Sequence, residues 1–303
     1  KEATGGLDEV EIKKIQDTWN YQSQLKERKE EVIRLIDEQG KLTDELRQEI
    51  ELATKLQRVE DLYRPYRQKR RTRATIAKEK GLEPLAKLVW EQKLEDVRSE
   101  AEKYFSEEHE LQDIESVLVG VNDIIAEWIS DEAEYREFIR KVTWNNGTLR
   151  TELKPDANDE KEVYKMYYDY AEAIRSLVSH RTLAINRGEK EDVLRVSVEP
   201  PIEKIITYLE NKIIDNHHAN ECVEILKAAI EDSYKRLIQP SIEREIRNQL
   251  TEEAEKQAIN VFADNLRNLL LQPPLKGRTI LGVDPAYRTG CKLAVVDETG
   301  KML

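Results

Sequence analysis

A chain of 303 residues has room for two or three domains of roughly 100–200 residues each, and for a substantial core. Charged residues make up 36% and apolar residues 39%, with only 11 Gly and 9 Pro, a mix that favours long helices over a sandwich or barrel. The net charge of −12 argues against coating nucleic acid by bulk attraction, no apolar run reaches the ~18 residues of a membrane-spanning helix, and two distant cysteines, Cys222 and Cys291, make no disulfide scaffold and fit a reducing compartment.

The opening Lys1-Glu2-Ala3-Thr4-Gly5-Gly6 has neither an initiator Met nor a signal-peptide pattern, and reads as the interior of a longer chain. A transport signal upstream stays open, and the expected compartment is the cytoplasm. Asp8 is an expected N-cap. Ile12, Ile15 and Trp19, continued by Leu25, Val32 and Ile36, share one helical face, and Gly40 supplies a stop. Thr43 caps a second helix through Leu46, Ile50 and Leu52. A third, with Leu56, Val59 and Leu62, ends before Pro65. Thr72 to Lys80 reads as a short helix closed by Gly81, and Pro84 sits near the start of the next. Short helices with tight Gly- or Pro-marked turns are the pattern of a helix-turn-helix-like bundle.

Leu111, Ile114, Leu118, Val121, Ile125 and Trp128 alternate in steps of three and four, the seam of a bundle helix. Tyr135, Phe138 and Val142 continue helically to a stop at Asn145-Asn146-Gly147. Val163, Met166, Tyr170, Ile174 and Leu177 have the spacing of another amphipathic helix. Its tyrosines, Tyr164, Tyr167, Tyr168 and Tyr170, suit packing better than base stacking. Thr182–Asn186 fits helix or strand, and Arg187–Lys190 reads as a turn. Val193–Val198 alternates as a strand that Pro200-Pro201 ends. Two more helices follow, the second long and stopped at Gln272-Pro273-Pro274. Thr279–Val283 and Cys291–Val296 form the opening hairpin of an α/β domain, and Lys301-Met302-Leu303 begins a further strand.

One basic segment stands out in this acidic chain. Between Arg64 and Lys80 lie Arg64, Arg67, Lys69, Arg70, Arg71, Arg73, Lys78 and Lys80 against a single carboxylate, Glu79. Interleaved with Tyr63 and Tyr66, these cations suit phosphate contacts with occasional base stacking. A solvated loop, or a bridge to the acidic helices, has equal standing.

Asp284 closes a strand beside a turn, where ribonuclease-H-like nucleases place a metal-binding carboxylate; the alternative is a turn Asp that caps backbone N–H groups. His217 and His218 are adjacent on a helix and diverge, so they do not share a metal. No phosphate-binding glycine loop and no paired nucleophile and base occur, so no cofactor and no complete catalytic set is expected.

Several blocks in fixed order resemble the Tex family of bacterial transcription accessory proteins. They are Lys1–Glu9, Glu60–Tyr66 running on through Lys69–Ala74 to Gly81–Ala86, Ser179-His180-Arg181, Leu183–Glu189, Asn265–Leu271, and Gly282-Val283-Asp284-Pro285 with Arg288–Lys292. The resemblance implies a helix-turn-helix-like region, a central helical region and a YqgF domain of RuvC and ribonuclease H type. Helix-hairpin-helix modules and an OB-fold RNA-binding domain would follow beyond this chain. It places Asp284 at the first carboxylate position of RuvC-like enzymes, in a domain that looks degenerate as a nuclease, so no catalytic role is assigned. One departure is Pro285-Ala286, where the family has Pro-Gly.

The expected fold is mostly α, with a small strand element near 192–198 and a truncated ribonuclease-H-like hairpin. The expected division is 1–105, 106–274 and 275–303. The expected function is a non-enzymatic helical scaffold that binds RNA or DNA through Arg64, Arg67, Lys69, Arg70, Arg71, Arg73 and Lys78 and works with the transcription machinery. RNA polymerase and ribosomal components are the candidate protein partners, and no membrane is involved. The rival readings are a metal-dependent nuclease built on Asp284 and a pure protein-interaction scaffold.

Overall fold

In the computed structural model, which describes residues 6, 8–68, 70–107, 109, 111–215, 221–273, 275, 277–286 and 290–303, the first helix begins where Asp8 caps it. Helix α1 (Glu9–Asp37) opens on a reciprocal capping box: Glu11 N–H donates to Asp8 Oδ1 at 2.8 Å, and Asp8 N–H to Glu11 Oε2 at 3.2 Å. Its apolar face behaves differently along its length. Leu25, Val32 and Ile36 enter the core, whereas Ile12, Ile15 and Trp19, the last 71% exposed, remain in solvent. Gly40, at φ 67°, ends the turn after the helix.

Helices α2 (Asp44–Leu52) and α3 (Leu56–Tyr63) close a first core with α1 through Ile50, Val59, Leu62 and Tyr63. A 3-10 turn (Arg64–Tyr66) follows, then α4 (Arg73–Glu79), α5 (Glu83–Trp90) and the short α6 (Val97–Ala101). Helices α7 (Ile114–Asp131) and α8 (Ala133–Asn146) complete this bundle. The expected seam on α7 is broader than a coiled-coil stripe: Val117, Val121, Ile124, Ile125, Ala126 and Ile129 are all buried, and Leu111 lies outside the helix in a bridge to Ser106. A helix packed by neighbours on several sides buries more than a two-residue seam.

Strands β1 (Thr148–Leu153), β2 (Asp169–Ala173) and β3 (Leu194–Glu199) form an antiparallel sheet in the order β2-β1-β3. Here two expectations fail. The segment Val163–Leu177 is not a helix: a 3-10 turn (Lys165–Tyr167) leads into β2, which pairs with β1 from Thr148↔Ala173 to Glu152↔Asp169. Sheet pairing overrides the helix-like spacing, and the carboxylate of Asp159 fixes the preceding loop by accepting from Val163 N–H, Tyr164 N–H and Tyr168 Oη at 2.8–2.9 Å. The tyrosines serve packing, as expected: Tyr164 and Tyr167 are buried, and Tyr167 meets Tyr170 edge-on.

The second failure is Arg187–Lys190. These residues are not a turn but the end of α9 (Ser179–Lys190), which also settles Thr182–Asn186 as helix. Gly188 is inside that helix because a Cβ there would lie 2.6 Å from Leu194 Cδ1 on β3.

Helices α10 (Ile202–Ile213) and α11 (Glu221–Asp232) follow, then a π-helical stretch (Ser233–Ile238) that runs into α12 (Gln239–Leu270). The expected hairpin is present as β4 (Ile280–Ala286) and β5 (Gly290–Val296), and Ala286 lies within β4, paired with Gly290. Arg288, Thr289, Lys69, His217 and His218 lie outside the described residues. The chain divides into two compact units, Lys1–Leu177 with Ala184–Gln249, and Val178–Leu183 with Leu250–Leu303. Among the described residues no helix is long and apolar enough to cross a membrane.

Gly147 joins α8 to β1 where backbone crowds closest. Its N–H donates to Thr143 O at 2.8 Å and its carbonyl accepts from Ile174 N–H at 3.0 Å. A Cβ would fall well inside contact with Thr143 O and 2.9 Å from Ile174 Cδ1. Gly147→Ala is expected to cost about 1–3 kcal/mol of stability, the range for overpacking, read as a lower urea midpoint at unchanged slope; an unchanged midpoint would show that the junction has slack.

A buried ionic cluster ties three helices of the first unit together. Asp61 on α3, 3% exposed, accepts from Arg136 Nε at 3.2 Å and lies 3.0 Å from Arg140 Nη2. Glu245 on α12 accepts from Arg136 Nη2 at 2.9 Å and Arg140 Nε at 2.8 Å, and Ser241 Oγ accepts from Arg136 at 2.8 Å. The cluster fixes the end of α3 from which the basic segment departs.

Candidate nucleic-acid interface

The basic segment is anchored by carboxylates on α7. Asp123, Glu127 and Asp131 are four residues apart, so they form a ladder on one face of that helix. Arg64 Nε lies 3.2 Å from Asp131 Oδ1, and Lys78 Nζ lies 3.2 Å from Glu127 Oε1. Glu127 Oε2 also accepts from Thr72 Oγ1 at 3.0 Å, and Thr72 in turn caps α4 by accepting from Thr75 N–H at 3.0 Å. Asp123 Oδ1 accepts from Arg236 Nη2 at 2.9 Å. All three carboxylates are mostly covered, with side chains 12–13% exposed.

Electrostatics follows from this burial. Burial raises the Asp123 carboxyl above its ordinary range, against the pull of Arg236 and Arg73 and with a small push from Asp232. Burial lowers the Arg64 guanidinium, helped by the like charge of Arg136 and opposed by Asp131 and Asp61. Arg64 and Lys78 thus each face an α7 carboxylate within the chain.

Arg67, Arg70, Arg71 and Arg73 are exposed. Arg67 pairs with Glu60 at 2.6 Å and lies over the Tyr63 ring, and Arg71 pairs with Glu79 at 2.7 Å, both in exposed positions. Arg70 and Arg73 are exposed, and among the described residues neither is within ion-pair distance of a carboxylate. Exposed pairs such as those of Arg67 and Arg71 are worth about 0–1 kcal/mol, little against a charge-assisted bond to phosphate.

The two tyrosines of the segment differ in exposure. Tyr63 is 8% exposed, and Tyr66 packs against the same core, where burial pushes its hydroxyl up in pKa. Tyr63 is thus covered, whereas Tyr66 is partly exposed. The missed feature is the ladder itself: three acids at four-residue spacing in a helix that buries Val117, Val121, Ile124, Ile125 and Ile129 were the available signal.

Asp284 is exposed on β4, opposite Lys292 on β5. Among the described residues no group of three or more His, Cys, Asp or Glu is placed to hold a metal ion.

Residues 92–262, more than half of the chain, match the family description "Tex central region-like". The chain belongs to the Tex family. Residues 1–37 match the Tex-like N-terminal domain, and residues 278–303 match the Tex YqgF-like domain. The whole chain is 57% identical over 305 residues to YdcI of Bacillus subtilis, covering 42% of that protein. It is 39% identical over 308 residues to the transcriptional accessory protein Tex of Neisseria gonorrhoeae, covering 40%. It is 32% identical over 320 residues to human S1 RNA-binding domain-containing protein 1, covering 32%. The chain thus spans about two fifths of the length of the bacterial relatives it matches.

Proposed function

We propose that this Tex-family chain is a nucleic-acid-binding scaffold of a cytoplasmic transcription accessory protein, acting by binding rather than by catalysis. The observation that carries the reading is the anchored basic segment. Arg64 and Lys78 hold its two ends on Asp131 and Glu127, and Arg67, Arg70, Arg71 and Arg73 project between them. Fixing both ends lowers the entropy lost when those arginines grip phosphates. The names of two relatives, a transcriptional accessory protein and an S1 RNA-binding domain-containing protein, support a role in transcription and a nucleic-acid partner. The division into an N-terminal region, a central region and a YqgF-like start at about residue 275 belongs to the same proposal.

The test is binding of the 303-residue chain to labelled RNA and DNA across a salt series. Binding at low salt that weakens linearly in log–log form is the expected result, since each phosphate contact releases condensed counterions. No binding at low salt would overturn the proposal.

A further inference from the structure

We infer that the Glu60 carboxylate is a built-in competitor for phosphate at Arg67, and so sets how tightly the basic segment holds nucleic acid. This rests on the nucleic-acid-binding reading above. Three elements meet at one aromatic ring. Arg28 on α1 and Arg67, just past the 3-10 turn, lie 5.4 and 5.8 Å from the ring centre of Tyr63 on α3. Both guanidinium groups bond to the carboxylate of Glu60, also on α3. Its Oε1 accepts from Arg28 Nε at 2.5 Å. Its Oε2 accepts from Arg28 Nη2 at 3.2 Å and from Arg67 Nη2 at 2.6 Å.

Two features make the Arg67 bridge exchangeable. It is open to solvent: the Arg67 and Glu60 side chains are 53% and 31% exposed, well above the carboxylates that face Arg64 and Lys78. Glu60 also has a second partner. When Arg67 turns to a phosphate, Arg28 still holds both carboxylate oxygens, so no anion is left stranded. The Arg67 backbone stays in place, because its N–H donates to Tyr63 O at 3.1 Å. A phosphate oxygen takes the same charge-assisted bond as a carboxylate oxygen. The two anions therefore compete for one guanidinium, and an exposed pair of this strength tunes affinity by about two- to fivefold.

The experiment is fluorescence anisotropy of the 303-residue chain with labelled single-stranded RNA and labelled duplex DNA at one low salt concentration. The chains compared are the unaltered one, Glu60→Gln, Glu31→Gln, Arg67→Gln, and Glu60→Gln combined with Arg67→Gln. Gln keeps the shape of Glu60 and an acceptor for Arg28, so the fold is expected to survive. Glu31 is the matched control: it carries the same charge, and among the described residues its ion pair is with Arg28 alone, at 2.6 Å. The expected result is that Glu60→Gln tightens binding about two- to fivefold and Glu31→Gln by less than about twofold. In the Arg67→Gln background, Glu60→Gln is expected to give no gain. Unchanged or weaker binding by Glu60→Gln would overturn the inference and leave nucleic-acid binding standing. So would an equal gain from Glu31→Gln, or a gain that persists without Arg67. No binding by any of these chains would overturn both.

Discussion

Asp61→Ala is expected to remove about 3–5 kcal/mol from the stability of the first unit, the cost of breaking a buried ion pair from one side. Arg136 is 1% exposed and Arg140 is mostly covered, and both converge on Asp61 and Glu245. Without Asp61, two desolvated guanidinium groups share one carboxylate, and α3 loses its tie to α8 and α12. Arg150 provides the contrast. It meets Glu152, Asp169 and Glu199 on the surface of the sheet at 3.1–3.7 Å, so Arg150→Ala is expected to cost no more than about 1 kcal/mol. Urea unfolding of both variants separates the two cases. A loss below about 1 kcal/mol for Asp61→Ala would mean that the cluster is too wet to act as a buried one.

The double reversal Arg70→Glu with Arg73→Glu is expected to weaken nucleic-acid binding by roughly 60-fold at 0.1 M salt, because each lost contact forfeits about eightfold of counterion release there. The salt slope becomes shallower by about 1.8. Both side chains are exposed, so the fold is expected to survive. The matched control, Lys227→Glu with Lys235→Glu on α11 and the π-helical stretch, changes net charge by the same amount. Equal weakening by both pairs would assign the effect to bulk charge rather than to the segment.

The helical fold was legible because its signals are local. Asp8, Thr43 and Thr72 cap the helices they were expected to cap, Gly40 and Gly81 stand at positive φ after helix ends, and Pro84 sits in the first turn of α5. The sheet was only partly legible. Val193–Val198 alternates, and a strand is found at Leu194–Glu199, but Asp169–Ala173 becomes one through pairing with Thr148–Leu153, a nonlocal contact that helix-like tyrosine spacing conceals. Gly188 misled because a glycine near polar residues suggests a turn, whereas here it makes room for Leu194.

The candidate site divides in the same way. The run of cations is visible in the sequence, but not which of them are free. That depends on Glu127 and Asp131, which come well after the segment they hold in the chain. In a chain with so many acids, their four-residue spacing carries little weight until the helix is seen to be largely buried. Burial of Tyr63 was likewise hidden, since its neighbours Val59 and Leu62 become core only when α1 packs over them.

Arginine-specific dicarbonyl labelling, read residue by residue by mass spectrometry with and without saturating duplex DNA, tests the anchored-segment arrangement most directly. The expected pattern is strong labelling of Arg70 and Arg73 in the free chain, protection of both by the duplex, and little labelling of Arg64 and Arg136 in either state. Arg64 labelled as readily as Arg70 in the free chain, or Arg70 and Arg73 left unprotected by bound duplex, would contradict it.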